Sequence, residues 1–212
     1  MSMVKEGYWY GLPLVLLAGG LMGFRLYGSG AFFLILAVLI LNFFRDPERE
    51  IPADPRAIVS PADGRVVEIR DVELDSRPAR RVSIFMSPFD VHVNRSPIGG
   101  TVKQVSYRKG NFRMAMQARA SVENEQNVFT IRGEDVEVVV KQIAGVLARR
   151  IVFWKQPGER LERGERVGMI KFGSRVDVVV EAVVELKVEV GDRVRAGSSV
   201  LGITNSNSQA GH

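Results

Sequence analysis

Two kinds of pattern follow one another along the chain. Over residues 1–44 apolar side chains run almost unbroken in two stretches, Tyr8–Phe24 and Ala31–Phe44, separated by Arg25-Leu-Tyr-Gly-Ser-Gly30. Runs of this length read as helices, and the Gly-Ser-Gly segment as the turn of a hairpin. At 1.5 Å per residue a 17-residue helix covers about 25 Å, a little less than the roughly 30 Å hydrocarbon core of a bilayer. Tyr8, Trp9, Tyr10, Tyr27, Phe43 and Phe44 stand at the ends of the runs, where interfacial aromatic residues belong. A cleavable signal peptide has a single apolar core, and this segment has two. The prediction is a membrane-anchoring helical hairpin over 1–44 that either spans the bilayer or dips into one leaflet. Lys5, Arg45, Arg49 and Arg56 flank the hairpin, while its turn carries only Arg25. That asymmetry places the rest of the protein at the cell membrane on the cytoplasmic side.

From Ala57 onward the pattern changes to short β-branched runs broken by Gly, Asp and Pro. Strands are expected at Arg65–Arg70, Arg81–Met86, Gly100–Tyr107, Val128–Arg132, Val136–Ile143, Arg149–Trp154, Arg166–Phe172 and Val176–Val180. Asn111–Ala120 reads as a helical or loop insertion. The fold class is therefore mainly β: a barrel- or sandwich-like domain over 45–204, followed by a polar tail at 205–212. Glu185–Ile203 carries a rhythm of glycine turns, with a looser copy at Arg160–Ile170. This is the rhythm of the hammerheads that carry lipoyl or biotinyl groups, without the Met-Lys-Met acceptor turn of the biotinyl carriers. A membrane-anchored hammerhead adaptor or carrier, modified at a lysine such as Lys187, is accordingly one functional alternative.

Composition narrows the chemistry. Across 212 residues the mean hydropathy is close to zero, +0.03, the average of a greasy head and a charged body. Lys5, Glu6 and Arg25 are the only charged residues before Arg45. There is no cysteine, so thiol nucleophiles, disulfides and zinc–thiolate sites are excluded. His92 and the C-terminal His212 are the only histidines, too few for a histidine-rich metal site. A net charge of +5 makes no case for nucleic-acid binding.

Three residues remain as candidates for catalysis. Ser174, in Lys171-Phe-Gly-Ser-Arg175, reads as a turn residue or as a nucleophile. A strained Gly-Ser peptide lets the hydroxyl attack the preceding carbonyl, and glycine leaves that approach open. His92, in Phe89-Asp-Val-His-Val-Asn94, is structural or is the base for any imidazole step. Asp63, in Pro61-Ala-Asp-Gly64, is a turn residue or the orienting partner of an imidazole.

Taken together, Pro61-Ala-Asp-Gly64, Phe89-Asp-Val-His-Val-Asn94 and Phe172-Gly-Ser174 resemble the phosphatidylserine decarboxylase proenzyme family, in particular its short, pyruvoyl-dependent prokaryotic members. The resemblance runs from Phe44 to Ile203. It takes in Phe44-Arg-Asp-Pro47, Asn124-Glu-Gln-Asn127 and Ile143-Ala-Gly145. It implies self-cleavage between Gly173 and Ser174, giving a β chain of residues 1–173 and an α chain of 174–212. Ser174 would become a covalent pyruvoyl cofactor, with His92 as base and Asp63 as its orienting partner. The ketone would condense with the amine of membrane phosphatidylserine and accept the electrons released as CO₂ leaves, yielding phosphatidylethanolamine. The implied partners are the lipid and the protein's own two chains, with a homo-oligomer also allowed. Two positions depart from the longer relatives. Phe89 stands where they carry a second histidine. Arg175 follows the serine where some of them have threonine, and it is either a solvated strand-end residue or an attractor of substrate anions.

Overall fold

The computed structural model describes residues 2–110, 124–145, 150–171 and 174–205. The expected insertion at 111–120 and Gly173 lie outside them.

The apolar head forms two antiparallel helices, α1 (Lys5–Gly23) and α2 (Tyr27–Phe43). The turn between them is tighter than the sequence suggests. It occupies Phe24–Leu26, with Arg25 at φ 62°, and Tyr27–Gly30 is already the first turn of α2. The reason is packing. Gly7, Gly11 and Ala18 of α1 are buried, as are Gly30 and Ala37 of α2. A Cβ on Gly30 would lie 2.5 Å from Met22 Cγ and 3.1 Å from the Ala18 carbonyl oxygen, and one on Gly11 would lie 2.2 Å from Leu41 Cδ2. A seam of small residues lets the two backbones approach closely, as in helix pairs within lipid. The outer surface is correspondingly apolar, with Trp9 79% and Phe24 82% exposed. Among the described residues no helix is long and apolar enough to cross a membrane.

The body is mainly β, as expected, and each of the eight predicted strands is present. Three short strands build one small sheet: β1 (Ala57–Val59), β12 (Glu185–Leu186) and β14 (Val200–Ile203), in the order β1-β14-β12. A second sheet joins β4 (Val93–Arg95), β8 (Arg150–Phe153) and β10 (Arg166–Lys171) in the order β4-β10-β8. The main sheet contains β2 (Gly64–Leu74), β3 (Arg77–Met86), β5 (Gly100–Arg108), β6 (Gln126–Arg132), β7 (Glu137–Ala144), β9 (Arg160–Leu161), β11 (Ser174–Glu181) and β13 (Arg193–Val194). Its order is β13-β2-β3-β11-β7-β6-β5-β9, curled into a half-barrel. The hammerhead rhythm over Glu185–Ile203 does not gather into a unit of its own. Its strands are shared between the β1 sheet and the edge of the main sheet.

One core draws on all three sheets, through Ile58, Ile84, Phe129, Val140, Ile170, Val178 and Leu201. A smaller cluster of Ala79, Val139 and Val179 covers the other face of the main sheet. β11 is therefore buried on both faces, which accounts for the unbroken Val178-Val-Val180 run where a half-buried strand would alternate. A third cluster fastens the hairpin to the body, with Val4, Phe43 and Phe44 against Val91, Val93 and Met169.

Candidate active site

Ser174 opens β11, directly opposite Met86 of β3 and Ala144 of β7. Only two residues separate it from Lys171, the last residue of β10. β10 and β11 belong to different sheets, so the chain passes from one to the other between Lys171 and Ser174. Ser174 is fully buried, and its Oγ lies 3.3 Å from Met86 Sδ, a weak acceptor. Among the described residues the hydroxyl thus has no strong partner.

His92 is also fully buried. Its backbone carbonyl accepts a hydrogen bond from Ile170 N (3.4 Å), four residues before Ser174. The ring stacks obliquely on Phe43 at the base of the hairpin, with centroids 4.3 Å apart. Nδ1 is 2.9 Å from the Asp90 carbonyl oxygen. A carbonyl only accepts, so Nδ1 is the protonated nitrogen and Nε2 of the neutral ring keeps its lone pair. Nε2 is buried and has no hydrogen-bond partner among the described residues. Burial pushes the imidazole pKa down to about 4, against the smaller opposing effect of Asp90. The ring is therefore neutral near pH 7 with an open lone pair, a condition that costs roughly 1–3 kcal/mol when nothing uses the acceptor.

Asp63 occupies a different position from the one sequence reasoning expects. Both carboxylate oxygens accept from Arg49 Nη2 (2.9 and 2.8 Å), and Oδ1 also accepts from Ala196 N (2.8 Å). Its described hydrogen bonds do not include His92, whose orientation comes from the Asp90 carbonyl. The linker after the hairpin supplies Arg49, whose charged Nη2 reaches both oxygens, and a charged donor holds a carboxylate better than one neutral imidazole N–H does. The neighbouring glycine is required by packing: a Cβ on Gly64 (φ +155°) would lie 2.1 Å from the Phe85 carbonyl oxygen of β3.

The three sequence signals meet through Asn94, which their pattern did not single out. Asn94 Nδ2 donates to the Pro61 carbonyl (3.3 Å), in the turn that carries Asp63, and lies 3.9 Å from Met86 Sδ, the atom against Ser174. Asn94 Oδ1 accepts from Gln142 Nε2 (2.8 Å), and Gln142 Oε1 accepts from Asn127 Nδ2 (2.9 Å). Asn94 and Gln142 are fully buried and Asn127 nearly so. Asn124 Nδ2 donates to the carbonyl of Ala144, the register partner of Ser174 (2.6 Å). In the sequence Asn94 closes the His92 motif and Asn124 and Asn127 belong to the Asn124-Glu-Gln-Asn127 stretch, but nothing in either assigns them a role, and Gln142 shows only as a polar residue inside an apolar strand run. A satisfied network of this kind fixes the strands around Ser174 in one arrangement.

Arg175 fits neither of its expected roles. It is buried, with Nε donating to Asp177 Oδ1 (2.6 Å) and Nη2 to Ser83 Oγ (2.6 Å) and Glu68 Oε2 (3.0 Å). Its guanidinium anchors β11 to its neighbours instead of facing solvent or substrate.

Comparison with known proteins gives the family. The family model for phosphatidylserine decarboxylase matches residues 36–202. The chain belongs to the phosphatidylserine decarboxylase family. It is 46% identical over 208 residues to the phosphatidylserine decarboxylase proenzyme of Solibacter usitatus, covering 95% of this chain and 96% of that one. The proenzyme of Carboxydothermus hydrogenoformans is 42% identical with the same coverage. That of Ralstonia nicotianae is 47% identical over 173 residues, 80% of each chain. The family match begins within α2, so the Phe44-Arg-Asp-Pro47 stretch falls inside it. In this decarboxylase-family chain that stretch ties the hairpin to the site. Arg45 donates to the Asn42 and Phe89 carbonyls (2.7 and 2.6 Å), and Asp46 is paired with Arg95 (2.7 Å) and Arg166. Lys187, the modifiable lysine of the carrier alternative, is ion-paired with Glu185 on the β12 segment.

Proposed function

We propose that this protein cuts itself between Gly173 and Ser174 and, in its two-chain form, decarboxylates phosphatidylserine to phosphatidylethanolamine at a membrane surface. The observation that carries the reading is the neutral, buried His92, whose Nε2 has no partner among the described residues and whose backbone carbonyl accepts from Ile170 of β10, four residues before Ser174. The proenzyme names of its relatives support it.

Ser174 Oγ adds to the Gly173 carbonyl carbon, His92 Nε2 takes the hydroxyl proton, and the peptide C–N bond breaks as its nitrogen is protonated, leaving an ester. Removal of the residue-174 Cα proton then expels the Gly173 carboxylate, and hydration of the dehydroalanine releases ammonia. The buried setting of Ser174, with a thioether against its hydroxyl, suits a group made from the serine itself. The pyruvoyl group so formed supplies a carbonyl that accepts the electron pair freed when CO₂ leaves. The Asn94–Gln142–Asn127 amide chain keeps the surrounding strands in register, and Phe43 and the hairpin base cover His92 from water. Asp63 acts at a remove, fixing Arg49 and the 196 backbone around the turn whose Pro61 carbonyl holds Asn94.

The hairpin lies in the lipid with its apolar outer faces against the acyl chains, and the body rests on the cytoplasmic face. That arrangement confines enzyme and substrate to one thin layer and raises their effective concentration. Intact-mass analysis tests the reading. Two fragments meeting at 173/174, the smaller with a pyruvoyl terminus, together with CO₂ release from phosphatidylserine vesicles, are expected, and Ser174→Ala removes both. A stable single chain that releases no CO₂ overturns the proposal.

A further inference from the structure

Near the base of the hairpin Lys171, Arg150 and Arg45 are cations with no carboxylate at ion-pair distance among the described residues. Lys171, half-buried at the end of β10, places Nζ 5.5 Å from the centroid of the Tyr10 ring and 5.9 Å from that of Phe44. These two rings stack on each other, 5.7 Å apart and 21° from parallel. Arg150 is its register partner on β8, and directly opposed residues in an antiparallel pair share a face. Arg45 is bound to two backbone carbonyls. Nearby, Arg95 and Arg166 share Asp46, and Arg49 is paired with Asp63. Two like charges on one face, Lys171 and Arg150, favour an anion between them.

The position of Lys171 suggests which anion. It is three residues before Ser174, and the rings beneath it belong to Tyr10 of α1 and to Phe44 at the end of α2. In the membrane-bound arrangement proposed above, that is the depth of the phospholipid head groups. Cation–π contact fixes the ammonium in place while leaving its N–H donors free for an acceptor.

We infer that Lys171 is a lipid-binding residue of the site: its ammonium, seated on Tyr10 and Phe44, binds the anionic phosphodiester of the lipid whose head group is being processed. The inference rests on the decarboxylase reading and deepens it. The phosphodiester is common to substrate and product, whereas the serine carboxylate belongs to the substrate alone, and this difference separates the two anions.

The test uses the full-length protein in mixed micelles of stated phosphatidylserine mole fraction, with phosphatidylethanolamine as competing product. Loss of one charge-assisted hydrogen bond is worth roughly 10- to 100-fold in binding. Lys171→Gln should raise KM for phosphatidylserine and the inhibition constant for phosphatidylethanolamine by the same factor in that range. Because the contact is shared by ground and transition states, kcat should fall by no more than about twofold. Lys171→Arg should recover most of the loss. A rise in KM with an unchanged product inhibition constant would assign Lys171 to the carboxylate and overturn the inference, as would no change in either constant. If Lys171→Gln fails to mature, Tyr10→Leu decides the question. It leaves β10 untouched and should raise both constants together by about 2- to 5-fold, the scale of one cation–π contact. Unchanged constants in that variant refute the inference. A wild-type chain that neither cuts nor releases CO₂ defeats the underlying functional reading instead, so the two failures are distinct.

Discussion

The protonation of His92 offers the most direct test of the site. The ring is fully buried, its Nδ1–H is committed to the Asp90 carbonyl and its Nε2 faces no described partner. Protonation would place a charge where nothing solvates it, and burial holds the pKa near 4 against 6.5 for a free imidazole. That difference is worth about 3 kcal/mol. The sign follows from linkage. Between pH 6.5 and 4 the unfolded chain binds a proton that the folded chain refuses, so this contribution to stability is complete above about pH 6.5. It declines as the pH falls and levels off below about 4. At pH 7 roughly one ring in a thousand is charged, and the base is therefore ready throughout the neutral range. Since the chain has only two histidines, ¹³C-histidine labelling gives two resonances to follow in detergent micelles. His92→Gln assigns them, and Ser174→Ala keeps the chain whole. One resonance should titrate near pH 4, and the uncut chain should lose about 2 kcal/mol more stability from pH 7 to 5 than its His92→Gln counterpart. A His92 midpoint between 6 and 7 would show a solvated ring, and the argument for an unused, desolvated lone pair would fail.

Other consequences can be checked with the same uncut Ser174→Ala chain. Asp177→Asn strips the buried Arg175 of its closest carboxylate and should lower stability by about 3–5 kcal/mol, read from urea denaturation. Asp63→Asn and Arg49→Gln remove opposite halves of one contact. A double-mutant cycle should give about 1–3 kcal/mol of coupling, while Asp63→Asn and His92→Gln should be additive within about 0.5 kcal/mol. Strong Asp63–His92 coupling would restore the direct partnership that the hydrogen bonds here do not show. Gly64→Ala drives a Cβ into the Phe85 carbonyl and should cost at least about 2 kcal/mol, visible as a drop in Tm and in the yield of cut chains for the otherwise wild-type protein.

The parts legible in the sequence are those governed by local pattern. Period-two and β-branched runs located every long strand, because a residue in a curled antiparallel sheet is sorted by the face it occupies. The short strands were not visible, since two or three residues such as Arg193-Val194 carry no periodicity. Pairing alone defines them. The turn of the hairpin was displaced for a related reason: Gly28 and Gly30 look like turn residues, whereas Gly30 is helical because its missing side chain admits Met22 and the backbone of Ala18.

By itself the sequence determined the chemical inventory. With no thiol and one histidine outside the terminus, thiol chemistry was excluded and any imidazole base had to be His92, whereas the conversion of Ser174 into an electrophile came from the family resemblance. Tertiary structure decided how that inventory is wired. The partners of Asp63, His92 and Arg175 were set by competition among groups distant in the chain. Arg49 took the carboxylate of Asp63, the Asp90 carbonyl took the Nδ1–H, and Asp177 with Glu68 took the guanidinium of Arg175. Hydrogen bonds and ion pairs in a desolvated interior go to whichever group arrives with matching geometry. That depends on the crossing of three sheets and a hairpin, which residue spacing along the chain does not encode.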